Sequence, residues 1–508
     1  MSTAESSLGV ASTTRDLPSH IAETGAELKR GAFLNTIAML ASNFRAVFTL
    51  LIARLLGPAS LGIFSVAWAT MDLFSKVGIL GLDDAITTFI ARAEALGDRA
   101  RSRTLFRIAV VLAVVQSALV ATLSIPAIRL FRQDLHLEPE MVSALVLILC
   151  ALPGVALYRI SNSVSRGMRV MKHDIYSRGL TEPGITTLAF LLALALGFKE
   201  FSPEVAAIVG TAASGLIAFV LASTLFRHLS KETGTVSFGG EARRLLGYGL
   251  PIGADQFLNA FIWRLDIMLL ACFVGRAPGV TLTTLGVYGA VMGVANGLRK
   301  VSQSFTPIFI PVVAGMTATG DHERAAATYA RLAQWMLWIL LPLVAVMALA
   351  GNTILLVFGP AFEQGSRWLG IVAVACATNA FINLGEMVIM VQRPGLNLLN
   401  SVITCAVGVS ANLLLIPRFG VTGAAFGILL AYLTQGIVRA GILRFVFRWP
   451  NPWKSLRRPI FTAILSAIPA IICRLLVEGM AGQLMAALVF LAIFALGWRR
   501  RLRSSKQT

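Results

Sequence analysis

Apolar positions along this chain do not alternate with polar ones. They fuse into runs of roughly 18 to 25 residues, separated by short stretches holding charge, Gly or Pro. A run of that length crosses a hydrocarbon core of roughly 30 Å as a helix, because each residue adds about 1.5 Å. The predicted spans are 31–56, 59–81, 104–128, 140–160, 182–198, 204–226 and 247–275, followed by 284–311, 332–358, 367–391, 396–417, 420–446, 457–477 and 480–498. The expected fold class is therefore all-α and integral to a membrane, with about fourteen transmembrane helices. Residues 1–30 are polar, rich in Ser, Thr and Glu, and without the apolar stretch of a signal peptide, so they are expected to form a disordered cytoplasmic tail.

Composition agrees with this pattern: 56% of the 508 residues are hydrophobic and only 14% charged. A net charge of +19 would point to nucleic acid in a water-soluble chain, so the placement of Lys and Arg decides its meaning. With a cytoplasmic N-terminus, one face of the membrane receives Arg92 to Arg107, Arg159 to Arg178, Arg243, Arg244, Arg324, Arg331, Arg444 to Arg458 and the tail from Arg499 to Lys506. The other face receives Arg54, Arg129, Arg132, Lys199, Arg276, Arg367, Arg418 and Arg474, a bias of roughly fourfold that follows the positive-inside rule. Both termini are expected in the cytoplasm, and no nucleic-acid partner is implied. Cys150, Cys272, Cys376, Cys405 and Cys473 fall inside predicted spans with no Cys-x-x-Cys spacing and read as small apolar residues.

The chain carries an internal repeat. Setting Gly62 on Gly286 places Lys76 on Lys300 without a gap, and setting Gly57 on Gly275 brings Arg45 within one position of Arg264. The expected organisation is a six-helix lobe over 31–226, a cytoplasmic linker over 227–246, a second six-helix lobe over 247–446, and a helix pair with a basic tail over 447–508. An even number of spans per lobe makes the repeats parallel, related by an axis along the membrane normal.

Charges at membrane depth are costly, at about 2.5–3.5 kcal/mol each, and normally face a partner or a hydrated cavity. Polar stripes at helical spacing occur in four spans: Asn35, Ser42, Arg45 and Thr49; Ser65, Asp72, Ser75 and Lys76; Asn296, Arg299, Lys300 and Gln303; and Asn379, Asn383 and Glu386. They suggest one shared cavity between the lobes. Asp72 and Lys76 stand four apart and can pair, whereas at the repeat-equivalent place Asp72 becomes Asn296 and Arg299 adds charge, so Lys300 is expected to be the freer lysine. Arg45, Lys76, Arg264, Arg299 and Lys300 are the candidate contacts for a phosphate or diphosphate; Asp72, Asp266 and Glu386 are candidate coupling or charge partners. On an ideal helix Arg264 points away from the face shared by Asp255, Asn259 and Asp266, so Arg264 and Asp266 line the same cavity only if Pro251 and Gly253 distort the span. Glu386 is expected either to take up a proton or to pair with a cavity cation. No nucleotide loop, metal-ligand motif or nucleophile elbow is present, every loop is short, and no catalytic residue, metal or cofactor is assigned.

Gly31 and Asn35, the stretch Ala53, Arg54, Leu56, Gly57, Pro58 leading to Gly62, and then Gly81, Leu82 and Asp83 carry a resemblance in order and spacing. Gly249, Leu250, Pro251, Arg264 with Asp266, Leu285, Gly286, Tyr288, Pro417, Gly420, Gly423, Ala424 and Ala425 continue it. Over roughly residues 30–447 the chain resembles the polysaccharide-export flippases of the multidrug/oligosaccharidyl-lipid/polysaccharide (MOP) transporter superfamily. The resemblance implies a MATE-like fold, two six-helix lobes around a central cationic cavity, and outward movement of undecaprenyl-diphosphate-linked sugars across the bacterial inner membrane by alternating access. It implies lipid-linked oligosaccharide and membrane lipids as partners, with polysaccharide polymerase and export machinery beyond them. The last helix pair departs from the usual twelve spans and is shared with peptidoglycan lipid-precursor flippases, which keeps that substrate open. A cation-coupled multidrug antiporter would bring a carboxylate to span one, which has none, and a membrane polymerase or ligase would need a larger outer loop.

Overall fold

Inside a bilayer no water satisfies backbone N–H and C=O groups, so apolar runs of this length fold as helices that bond internally. Among the residues described by the computed structural model, 44–227, 238–303, 316, 321–450 and 452–504, every regular element is helical. The expectations for the 1–30 tail, for Asn35 and Ser42, for linker residues 228–237 and for the end of the span over 304–311 lie outside them, as does the side chain of Arg45. The first half contains α1 (Phe44–Leu55), α2 (Gly57–Ile79), α3 (Leu82–Ala95), α4 (Arg99–Phe131), α5 (Pro139–Leu149), α6 (Leu152–Gly167), a π-helical segment (Ile175–Thr181), α7 (Glu182–Ala195) and α8 (Ser202–Thr224). The second half contains α9 (Phe238–Cys272), α10 (Leu282–Ala295, resuming over 297–303), α11 (His322–Leu349), α12 (Gly351–Leu356), α13 (Ser366–Gln392), α14 (Pro394–Phe419) and α15 (Val421–Gly441). α16 (Trp453–Leu476) and α17 (Gly479–Ser504) close the chain.

Nine helices among the described residues are long and apolar enough to cross a membrane, or ten if α2 and α3, bent by 46°, form one span. Fourteen crossings, the expectation from hydropathy, are not reached on that measure. The described parts of α1, α7 and α10 are 12, 14 and 14 residues long, and α9, at 35 residues, is interrupted by charges from Glu241 to Asp266.

Helix faces sort by size more than by polarity. In α4, Ala109, Ala113, Ser117 and Ala121 repeat every four residues and are buried, while Val111, Val115, Leu119 and Leu123 form the exposed face. This is the membrane arrangement, in which bulky side chains meet lipid and small ones let backbones approach. Gly78 of α2 uses that approach: a Cβ there would stand 2.5 Å from Ser117 Oγ.

The halves meet along two glycine seams. Gly62 of α2 and Gly286 of α10, aligned in the expected repeat, pack against each other; a Cβ on Gly62 would lie 2.8 Å from Gly286 N, and one on Gly286 would collide with the Pro58 carbonyl. Gly57 and Gly275, the other aligned pair, share a left-handed backbone, with φ of +85° and +72°. The second seam joins Gly81, at the α2–α3 bend, to Gly249 and Gly253 of α9, where a Cβ on Gly81 would clash with the Gly249 carbonyl. Finally, α16 and α17 pack on α11 through Trp338, Phe490 and Phe494, with Gln483 accepting hydrogen bonds from the Thr353 backbone and hydroxyl.

Candidate functional site

Two adjoining cavities are lined by described residues of the helical bundle. The larger, about 670 Å³, is bounded by α1, the first half of α2, the π-helical segment, the start of α7, the last third of α9 and much of α10. The smaller, about 400 Å³, is bounded by the end of α2, Asp84, the middle of α9, Arg299 of α10, α13 and α15. Trp263 and Arg299 line both. The Arg299 guanidinium lies 3.5 Å from the centre of the Trp263 ring, so a stacked cation–π pair forms the common wall. The single shared cavity expected from the polar stripes is thus two compartments.

Their charges differ. Among the described residues, Arg178, Arg264, Arg299 and Lys300 face the larger cavity against Asp174 and Glu182, a formal excess of two positive charges. The smaller has Lys76 and Arg299 against Asp84, Asp255 and Glu386, a formal excess of one negative charge. Asn296, Arg299, Lys300 and Gln303, one stripe in the sequence, all line the larger cavity. Asn379, Asn383 and Glu386, another stripe, all line the smaller.

The Asp72–Lys76 pair expected from helical spacing does not form. Asp72 instead accepts from Arg264 of the other half, with Nη2 at 3.2 Å and Nε at 3.3 Å, and stands 3.5 Å from Arg159. Two guanidinium forks outcompete one ammonium for a carboxylate because each presents planar paired donors. Lys76 reaches toward the smaller cavity and donates to Gln256 Oε1 at 3.2 Å; Gln256 in turn donates to Asp84 at 2.7 Å. Pro251 does not interrupt α9, which runs unbroken to Cys272. Arg264 therefore faces the larger cavity, while Asp266 lines neither and is fully buried, accepting a 2.5 Å hydrogen bond from Tyr288. Glu386 pairs with Arg439 at 2.7 Å.

Three arginines at or beside the candidate site are not among the residues singled out from the sequence: Arg159, Arg178 and Arg439. Arg159 and Arg178 count as cytoplasmic when span four ends at residue 160. The helix ends later than expected: α6 continues to Gly167, about two turns past Arg159, which pairs with Asp72 and lies 3.9 Å from Asp83. The stretch expected to be a loop winds into the π-helical segment, which returns Arg178 to the larger cavity. Arg439 was detectable, since it lies inside a predicted span four residues after Gln435. Among the described residues neither Arg178 nor Arg299 has a hydrogen-bond acceptor; their guanidinium groups contact the rings of Tyr158 and Trp263. Both can meet an anion entering the cavity.

Residues 28–315 match the family described as polysaccharide biosynthesis protein. The chain belongs to that family. An uncharacterised membrane protein of Methanocaldococcus jannaschii is 22% identical over 284 residues, and the chain spans about half of that relative, 54% of its length. Solved structures share the fold at low identity. An inward-facing multidrug-resistance MATE transporter of the MOP superfamily superposes with a TM-score of 0.63 at 15% identity, over 81% of this chain and 96% of that one. The lipid II flippase MurJ, in an inward closed conformation, gives 0.62 at 10% identity, over 93% and 99%. A MATE transporter of Vibrio cholerae gives 0.54 at 15% identity, over 84% and 99%. This member of the polysaccharide biosynthesis family therefore shares the helical membrane fold of these MATE and MurJ structures.

Proposed function

We propose that the protein is a transporter that flips a lipid-diphosphate-linked oligosaccharide across the bacterial inner membrane by alternating access, not an enzyme. The carrying observation is the larger cavity: a cationic compartment in a membrane bundle, with two guanidinium groups, Arg178 and Arg299, uncommitted to any acceptor among the described residues. A diphosphate fits such groups, because it accepts charge-assisted, forked hydrogen bonds that a neutral solute does not. The family description and the likeness to a lipid II flippase support the same reading. In this proposal the lobes are 31–226 and 247–446, both termini are cytoplasmic, and the Asp72–Arg264 pair joins the lobes until the arriving diphosphate competes for Arg264. Lys300 contributes charge beside Arg299. A multidrug antiporter is expected to bring a cavity carboxylate to attract cations; among the described residues of the larger cavity two carboxylates stand against four cationic side chains.

The test is translocation in proteoliposomes of an undecaprenyl-diphosphate disaccharide with a fluorophore on the sugar. Arg178→Gln and Arg299→Gln, at equal folded protein, each slow translocation by about tenfold or more, the loss of one charged hydrogen bond at about 1.5–3 kcal/mol. Wild-type rates in the double variant would overturn the proposal.

A further inference from the structure

The smaller cavity is built from a different chemistry than the larger. Five carboxamides, Gln256, Asn259, Asn379, Asn383 and Gln435, line it together with the three carboxylates. A carboxamide both donates and accepts, as a sugar hydroxyl does, so the lining complements a polyol and not a phosphate. We infer that this compartment holds the glycan of the transported lipid and selects uncharged, hydroxyl-rich sugars over uronate-bearing ones; this rests on the reading above.

Three observations carry the inference. First, the compartments share Arg299 and Trp263, so a diphosphate on Arg299 places the sugar esterified to it at the mouth of the smaller cavity. Second, the carboxylates are held in place: Asp84 accepts from Gln256 at 2.7 Å, Asp255 from Ser401 at 3.4 Å and Glu386 from Arg439 at 2.7 Å. Each keeps lone pairs for hydroxyl donors, while a second carboxylate brought by a uronate meets like charge. Third, Asn383 faces the cavity with no hydrogen-bond partner among the described residues, whereas Asn259 and Asn379 have theirs in the Asp255 carbonyl and Gln435. At about 400 Å³ the space falls in the roughly 300–1,000 Å³ range of small-molecule pockets. The carboxylates do not converge as metal ligands: among the described residues no group of three or more His, Cys, Asp or Glu could hold an ion.

The experiment measures binding of three synthetic polyprenyl diphosphates to the full chain in nanodiscs: one sugar-free, one with a neutral disaccharide, one with a uronate-containing disaccharide of equal size. Wild type binds the neutral form at least about tenfold more tightly than either other, the worth of roughly one well-made hydrogen bond in a desolvated site. Asn383→Leu erases most of that preference, and Asp255→Asn narrows the gap between neutral and uronate forms; Asn383→Ala replaces Asn383→Leu if the latter fails to fold. Equal affinity of wild type for neutral and uronate lipids overturns the sugar assignment alone. So does an Asp255→Asn protein that loses sodium or proton dependence of translocation with its sugar preference intact, since that marks a cation site. Failure to bind even the sugar-free diphosphate overturns the transport reading itself.

Discussion

Glu386 illustrates how a partner changes what a mutation means. Viewed alone on its polar stripe, it is a cavity carboxylate whose neutralisation slows transport and leaves folding untouched. In the structure its Oε2 accepts from Arg439 at 2.7 Å, and Arg439 is only 3% exposed. The remaining guanidinium bond is a 3.3 Å contact to the Ile382 carbonyl, and Nε is buried without an acceptor. Glu386→Leu strands that cation. Breaking a fully buried pair costs about 3–5 kcal/mol; with Glu386 24% exposed to cavity water, the expected loss is about 2–3 kcal/mol. Glu386→Gln keeps one acceptor oxygen and loses about 1–2 kcal/mol. Replacing both partners, with Glu386→Leu and Arg439→Met, removes the stranded charge and recovers most of the deficit. A double-mutant cycle on the purified protein, by reversible unfolding in mixed micelles, should therefore return a coupling of about 2 kcal/mol. A coupling below about 0.5 kcal/mol, or a Glu386→Leu protein as stable as wild type, would refute the argument.

Gly286→Ala should destabilise more than Gly57→Ala in the same unfolding assay. The first drives a Cβ into the Pro58 carbonyl and to 2.9 Å from Gly62 N, forcing α2 and α10 apart at about 1–3 kcal/mol or more; the second has open space and costs only the left-handed backbone term of about 1–2 kcal/mol. The reverse order would mean that the seam yields freely. Trp338→Ala should cost about 3–5 kcal/mol, because the ring is 1% exposed and lies 5.0 Å from Phe494 and 5.5 Å from Trp498. It should also speed tryptic cleavage at Arg448, before the last helix pair, and unchanged cleavage would mean the pair is held elsewhere.

Periodicity and length determined the membrane class, the helical fold and the helix faces that bear polar groups, because these depend on local spacing against a 30 Å hydrocarbon slab. Asn296 to Gln303 and Asn379 to Glu386 were legible for that reason, since each stripe lines one cavity. Pairing was not legible. Asp72 has a lysine one turn away in sequence, yet binds two arginines, Arg264 at separation 192 and Arg159 on α6, and only tertiary packing decides which donor reaches a carboxylate first. The division of the interior into a cationic and an acidic compartment was likewise invisible, since it depends on Arg299 stacking on Trp263 across two helices. Arg178 entered the site through a π-helical segment in a stretch whose polarity reads as a loop. A sequence shows which residues are too costly to leave in lipid, but only the folded chain shows which of them neutralise one another and which are left for a ligand.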